Sequence, residues 1–282
     1  IKQPDSIEER RGPREGADYA AIDGFKKSLG ISGKHLEKRE TSKGVFWFGN
    51  IKTEGGLLAE LIPKIINDLT LKFPWPKSQR WGEGKLRWIR PLRRVNVIFD
   101  NKPIIFNIGQ DSEIITSNIT EGHKFLSNKK IQFLSFDEYT SALKKYFVIP
   151  DPIKRKKLIL SQINRIVSKN NLVLIKDDKL IEEVNGLVEW PNVIIGSIEK
   201  KFMILPKEVL VTAMRVHQKY FSLQRKDGIL APFFLTISNM PKKKSRDDNI
   251  RFGNERVLRA RLEDAKFFWE NDQSIKFSER IK

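Results

Sequence analysis

The sequence contains no cysteine and only three histidines among its 282 residues. The absence of thiols excludes disulfides, cysteine nucleophiles and cysteine-ligated zinc, and it favours a reducing compartment. None of the histidines, His35, His123 and His217, stands in an HExxH motif or a His-Asp pair. We therefore expect no zinc site and no other cofactor in this chain.

Other familiar motifs are missing as well. No apolar run approaches the roughly 18 residues that a membrane span needs, and the N-terminal stretch does not resemble a signal peptide, so no membrane partner is expected. Gly33-Lys34 and Gly84-Lys85 lack the upstream glycine of a phosphate-binding P-loop. No G-x-S-x-G nucleophile motif occurs. The sequence thus offers no self-contained catalytic constellation, and no catalytic residue is predicted.

Basic residues are abundant instead. Lysine and arginine total 53 against 35 aspartates and glutamates, which gives a formal net charge of +18. This balance favours a polyanionic partner such as nucleic acid, although a basic but inert surface from a lysine-biased proteome is the alternative. Hydrophobic residues make up 39%, as in a globular chain. The first residue is Ile1 and not methionine, which indicates a piece of a longer protein.

Hydrophobic periodicity and turn residues predict an α+β fold. The opening 1–16 is polar and punctuated by glycine and proline, so an extended arm or loop is expected. The charged stretch 240–254 is interpreted as a linker before a last helix at about 254–271. Helices are further expected at about 17–30, 55–73, 135–147, 151–171, 179–187 and 206–221, and hairpins at 95–109 and 220–239.

Local capping residues support several of these helices. Ser135 and Glu138 stand three apart and form a capping-box pattern. Asp151 precedes Pro152 at the expected first helical position. The adjacent Glu182 and Glu183 fall on a helix, where their side chains diverge into solvent.

The segment WGEGKLRWIRPLRRV carries the densest basic pattern. Extended backbone before Pro91 places Lys85 and Arg87 on one face, with Leu86 and Trp88 on the other. Guanidinium groups bind phosphate oxygens in pairs, and aromatic faces stack on bases. The alternative is a tryptophan anchored in the core beside solvated arginines. The candidate nucleic-acid-binding residues here are Lys85, Arg87, Arg90, Arg93 and Arg94.

Two shorter motifs add further candidates. In TEGHKF, His123 and Lys124 follow a glycine, and the imidazole either contacts a phosphate or base or satisfies a core carbonyl. In AMRVHQKYF, the cations Arg215, His217 and Lys219 lie near a helix end. Cations there either bind RNA or complement the helix dipole.

An arginine cluster lies in GNERVLRARLEDAKFFWEND. Leu258, Leu262, Ala265 and Trp269 recur at helical spacing and predict one buried stripe with Phe268 alongside. Arg259 and Glu263 stand four apart, as do Lys266 and Glu270, which predicts pairing on the outer face. Arg256, Arg259 and Arg261 therefore become candidates to bind a phosphate or to clamp a carboxylate of an adjoining domain.

Taken in order, these pieces resemble the beta subunit of bacterial heterotetrameric (α2β2) glycyl-tRNA synthetase. The matching stretches are RRGPREG with GFKKSLG, RWGEGKLRWIRP, TEGHKF, LIEEVNGLVEWPNVIIGSIEKKFMILPKEVL, AMRVHQKYF and GNERVLRARLEDAKFFWEND. The chain departs from the family pattern at Gln79, commonly Met, at Arg93-Arg94, commonly His-Trp, and at Lys124, commonly Arg. The second departure adds charge and puts any role of a His-Trp pair in doubt here.

The resemblance implies a non-catalytic role in tRNA glycylation. It implies that a partner alpha subunit carries the class II catalytic core with ATP and magnesium, in a cytoplasmic α2β2 assembly that contains a second beta subunit and binds tRNA(Gly). The chain alone is expected to be inactive. The expected domains are an N-terminal arm and helical region (1–80), a module similar to the B3/B4 domain of phenylalanyl-tRNA synthetase (81–250), and a helix (251–282) leading to a missing HD-like domain.

Two functional readings remain open at this level. In the first, the basic surface binds tRNA. In the second, it mainly contacts the alpha subunit and neighbouring beta domains as an assembly scaffold. A weaker third reading is an editing hydrolase, suggested by the B3/B4 resemblance, but no residue set supports it.

Overall fold

A computed structural model describes residues 2–30, 36–109 and 113–274, so His35 lies outside the described residues. The chain separates into two compact units, Ile1–Asn118 and Ile119–Lys282. Helices and mainly antiparallel strands are mixed in both, which confirms the α+β prediction. Within the described residues, no helix is both long enough and apolar enough to cross a membrane.

The first unit is built around a three-stranded antiparallel sheet in the order β1-β3-β2. Helix α1 packs on this sheet, because Gly12 and Gly49 leave room for Phe25 and Leu29 respectively. Its elements are β1 (Ser6–Arg14), α1 (Tyr19–Ser28), β2 (Leu36–Thr41), β3 (Gly44–Thr53), α2 (Leu58–Lys72), and the short strands β4 (Gln79–Arg80), β5 (Arg87–Trp88), β6 (Ile98–Phe99) and β7 (Lys102–Pro103).

The opening residues form a strand, so the expectation of an extended arm or loop was wrong for Ser6–Arg14. This strand pairs with β3 from Ser6↔Thr53 to Arg14↔Phe46, with an irregularity near its end. Its side chains are nearly all exposed, and backbone pairing with β3 is what orders it. The hairpin around Asp100-Asn101 is confirmed, with both residues at positive φ, although its strands are only two residues long.

The second unit has a four-stranded antiparallel sheet in the order β10-β12-β13-β11. Its elements are β8 (Ile119–Glu121), β9 (Lys130–Gln132), α3 (Phe136–Lys145), α4 (Pro152–Lys169), β10 (Val173–Leu174), α5 (Asp178–Leu187), β11 (Pro191–Ser197), α6 (Lys207–Thr212), β12 (Phe221–Gln224), β13 (Leu230–Asn239) and α7 (Lys244–Ser274). A single 3₁₀ turn at Lys200–Phe202 follows β11, and a π-helical turn at Ala213–His217 follows α6.

Helices cover both faces of this sheet. On one face, Ala231 and Leu235 of β13 pack in a core cluster with residues of α4 and α5. On the other face, Leu230 and Phe234 pack with residues of α6, the π-helical turn and α7. Alternate residues of β13 therefore serve two separate cores, as a period of two requires.

Helix α7 begins ten residues earlier than the sequence predicted. The stretch interpreted as a charged linker is helical from Lys244 onward. Asp247 accepts a hydrogen bond from Asn192 Nδ2 at 2.9 Å, and Asn254 accepts one from the Tyr220 hydroxyl at 2.5 Å. Burial raises the pKa of Tyr220 to about 12, so its phenol stays a neutral donor to α7.

Candidate nucleic-acid interface

Aromatic packing fixes the basic segment that follows α2. Strands β4 and β5 pair through Gln79↔Trp88 and Arg80↔Arg87. Trp88 contacts Trp75 edge-on with ring centroids 4.9 Å apart, and Trp75 lies 4.3 Å from Phe73. This cluster holds Trp88 half-buried while Arg87 points outward, as the alternation predicted.

The cations of this segment are exposed but not equivalent. Arg87 donates from Nε to Ser78 Oγ at 3.2 Å and from Nη2 to the Ser78 carbonyl at 3.1 Å, which orients its guanidinium. Arg90 and Arg93 are exposed and have no ion pair or hydrogen bond with any described residue. Lys85 and Arg94 are exposed as well. Arg90 and Arg93 therefore carry charge that no described residue of this unit neutralises.

The TEGHKF motif forms a tight turn with its histidine inside. His123 is 1% exposed, and its Nδ1 accepts a hydrogen bond from the Phe125 backbone N–H at 3.2 Å. Its Nε2 is buried and has no hydrogen-bond partner among the residues that the structure describes. The neighbouring Lys124 is exposed, with its Nζ 5.6 Å from the Phe125 ring centroid. Only Lys124 of this pair is on the surface.

Two cations of the AMRVHQKYF motif are tied to carboxylates near α5. Arg215 forms an ion pair through Nε with Asp177, whose other oxygen caps α5 by accepting from Leu180 N at 3.0 Å. Lys219 pairs with Glu183 at 2.8 Å. These contacts anchor the π-helical turn to α5, whereas His217 stays exposed.

Glu182 and Glu183 do diverge, as predicted, but both are paired and not simply solvated. Glu182 is bound by Lys156 of α4, and Glu183 is bound by Lys219. The two carboxylates thus connect α5 to different neighbours.

Asp177 provides a test of this anchor by pH. The hydrogen bond from Arg215 holds the pKa of Asp177 below its ordinary value. The unfolded carboxyl protonates first, at about pH 4, so this contribution is complete above that pH and is lost as pH falls through the lower folded pKa. The variant Asp177→Asn retains an oxygen that can cap α5. We expect it to reduce the loss of unfolding free energy as the pH falls below about 4. Unfolding free energies measured between about pH 5 and pH 2 check this. An unchanged acid dependence would contradict it.

The arginines of α7 differ in whether they form ion pairs. Arg259 pairs through Nε with Glu199, and Glu263 is bound by Lys201, so the predicted Arg259–Glu263 pair was wrong. Both contacts join α7 to the residues around the 3₁₀ turn. The Lys266–Glu270 pair is confirmed at 3.5 Å.

The outer face of α7 is exposed to solvent in the part of the chain that the structure describes. Arg256 and Arg261 are exposed and make no polar contact with a described residue. Leu258 and Leu262 are buried as predicted, but Phe268 is 62% exposed and was wrongly placed beside the buried stripe. Adjacent residues of a helix differ by about 100°, so Phe268 lies about a quarter-turn away from Trp269 and the buried stripe.

Comparison with known proteins identifies the family of this chain. A family model described as glycyl-tRNA synthetase beta subunit matches residues 1–282. The chain belongs to the glycyl-tRNA synthetase beta subunit family. It is 41% identical to the glycine–tRNA ligase beta subunit of Rhodospirillum centenum, over 96% of this chain and 41% of that protein. The beta subunits of Ruegeria sp. and Rickettsia conorii are 39% and 38% identical, over 98% and 97% of this chain and 40% of each relative. The chain thus spans about two fifths of these relatives.

Within this family framework, the predicted site residues fall into groups. Lys85, Arg87, Arg90, Arg93 and Arg94 belong to the first unit, and the other predicted residues belong to the second. The exposed cations among them that have no carboxylate partner in the described residues are Arg87, Arg90, Arg93, Lys124, Arg256 and Arg261. In contrast, Arg215, Lys219 and Arg259 are held by carboxylates. The sequence analysis missed Asp177 and Glu199, which hold two of these arginines. The position of Asp177 just before a helical pattern was a usable indication, because aspartate is a favoured N-cap.

Proposed function

We propose that this chain is a non-catalytic, tRNA-handling part of a glycyl-tRNA synthetase beta subunit. The observation that carries the proposal is the set of exposed, unneutralised arginines, Arg90 and Arg93 in the first unit and Arg256 and Arg261 on α7. A net charge of +18 and the family membership support it. Because these arginines are exposed and separated along the chain, contacts to the RNA backbone dominate over base-specific readout.

The wider assembly follows from the same proposal. A separate alpha subunit supplies the class II catalytic core with ATP and magnesium, and two beta subunits complete an α2β2 enzyme in the cytoplasm. In this proposal the central region adopts a B3/B4-like arrangement. The chain alone forms no glycyl-adenylate.

Salt titration tests the tRNA proposal. We expect tRNA(Gly) to bind the chain in low salt, with log K falling linearly against log salt. Each neutralised phosphate contributes about 0.7–0.9 to that slope, so a slope steeper than about −2 indicates several contacts. Filter binding between about 20 and 200 mM salt gives the measurement. No measurable binding at the lowest salt would contradict the proposal.

A scaffold function is the second candidate, and the outer face of α7 favours it. Val257, Phe267 and Phe268 are 45%, 65% and 62% exposed. Large exposed apolar groups of this kind are typical of protein–protein contacts. If the chain binds no tRNA but co-purifies stably with the alpha subunit or another beta-subunit region, the scaffold function replaces the first proposal.

A further inference from the structure

The first unit contains an open groove between α2 and the segment that begins β5. Its volume is about 870 Å³. Such a volume accommodates a short stretch of a polymer and falls within the range of ligand-binding clefts. Its lining residues are Lys64, Asn67, Asp68, Leu71, Lys85, Leu86, Arg87, Asn107, Ile108 and Gly109.

The groove has a fixed floor and wall. Asn67 donates from Nδ2 to the Asn107 carbonyl at 3.2 Å and accepts from the Gly109 N–H at 2.7 Å. Both hydrogen-bonding groups of one amide thus fasten α2 to the segment 107–109. Leu86 and Ile108, 8% and 0% exposed, form the apolar base.

One face of α2 points into the groove. Lys64, Asn67 and Leu71 stand at i, i+3 and i+7, so they share that face. Lys64 is exposed and has no ion pair or hydrogen bond among the described residues. Lys64 is the only basic residue of α2 among the described lining residues. The sequence analysis did not identify it as a candidate.

The opposite wall is also cationic. Arg87 uses Nε and Nη2 to bind Ser78, which leaves the Nη1 amino group available for a ligand. Lys85 lines the same wall. Among the described residues that line the groove, the one carboxylate is Asp68, which is paired with Lys72 at 3.0 Å. The groove therefore presents excess positive charge from both walls.

We propose that this groove binds the sugar–phosphate backbone of the tRNA, with Lys64 and Arg87 contacting phosphates from opposite walls. The inference rests on the proposed function and adds to it a location and a new contact residue, Lys64. The chemistry that fits is a phosphodiester strand, because cations stand on both sides of an open channel and an oriented guanidinium matches phosphate oxygens. No aromatic ring occurs among the described lining residues, so a stacked base is not part of the proposed contact.

A matched pair of lysine variants tests this location. We expect Lys64→Ala to make the salt slope of tRNA(Gly) binding shallower by about 1 and to weaken binding similarly for unrelated tRNAs. Lys102→Ala removes the same charge from β7 in the same unit, outside the groove, where the lysine is also exposed and unpaired among the described residues. The Lys102 variant is expected to keep the wild-type slope. Thermal unfolding of both variants verifies that the fold is retained.

Crosslinking gives an independent readout that exploits the absence of natural cysteine. Lys64→Cys and Lys102→Cys each create a unique thiol that can carry a photoactivatable aryl azide. With tRNA(Gly) bound in low salt, we expect a protein–RNA crosslink from position 64 and little or none from position 102.

The outcomes separate this inference from the proposed function. If the wild-type chain binds no tRNA, the proposed function fails and the groove inference fails with it. If the wild-type chain binds tRNA but Lys64→Ala retains the wild-type slope, and position 64 crosslinks no better than position 102, only the groove is rejected. A shallower slope together with a crosslink specific to position 64 supports both.

Discussion

Leu262→Ala is expected to lower the free energy of unfolding by about 3 kcal/mol, within the usual range of 2–5 for a buried leucine. Leu262 is 1% exposed and belongs to the core cluster formed by one face of the four-stranded sheet, the π-helical turn and α7. Truncation leaves a cavity among side chains such as Phe202 and Met214, which are themselves fully buried. Chemical denaturation followed by circular dichroism measures the change.

Val257→Ala on the same helix is the matched control. Val257 is 45% exposed, so its truncation creates no cavity, and we expect a change within about 0.5 kcal/mol. A loss at Leu262 no larger than that at Val257 would mean that α7 is not part of the core of the second unit. It would also remove the structural basis for presenting Arg256 and Arg261 at fixed positions.

Local chemistry made several elements predictable. Ser135 Oγ accepts from Glu138 N at 3.2 Å, which is the N-cap bond of the predicted capping box. The Glu138 side chain accepts from Leu134 N at 2.8 Å, one residue before the N-cap. Asp151 accepts from Ile153 N and Lys154 N at 2.8 and 3.1 Å. These interactions join residues at most four apart, so a single sequence contains all the information that they need.

Elements stabilised by distant contacts were not predictable. The first ten residues of α7 are mostly polar, and their helix is supported by Asn192, which lies 55 residues before Asp247. Strand β1 likewise lacks an apolar face, and it is ordered by pairing with β3 some 40 residues later. Helix propensity and hydrophobic periodicity therefore predict neither the start of α7 nor strand β1, because contacts with distant residues override local preferences.

The candidate site shows the same division. Outward placement of Lys85 and Arg87 followed from strand alternation alone. The partner of Arg259 could not be predicted in this way. Spacing along the helix favoured Glu263, whereas in the structure Arg259 pairs with Glu199, 60 residues earlier in the chain. Arg215 and Asp177 are 38 residues apart. A cation's availability for RNA depends on such distant carboxylates, so sequence identified the basic residues but not which of them are free to bind.

The TEGHKF motif supplies the second large effect. Gly122→Ala is expected to cost about 1–3 kcal/mol of unfolding free energy, the usual penalty for overpacking. A Cβ at Gly122 would lie 2.5 Å from Tyr146 Cβ and 2.8 Å from the Tyr146 carbonyl oxygen. That oxygen accepts the His123 N–H at 2.9 Å, so the clash falls on a backbone hydrogen bond and no flexible side chain can relieve it. Thermal or urea unfolding of the purified variant measures the loss.

Gly186→Ala is the control, because a Cβ at Gly186 on α5 meets nothing within 4 Å. Alanine there removes the entropic penalty of a helical glycine, so the expected change ranges from neutral to a gain of about 1 kcal/mol. If Gly122→Ala lowers the unfolding free energy and Gly186→Ala raises it, Gly122 is required for close packing against Tyr146. That packing holds the turn in which Lys124 is exposed next to the buried His123. If Gly122→Ala were as stable as wild type, the close approach of Tyr146 would not be a constraint, and the glycine would need another explanation, such as contact with a partner at the TEGHKF turn.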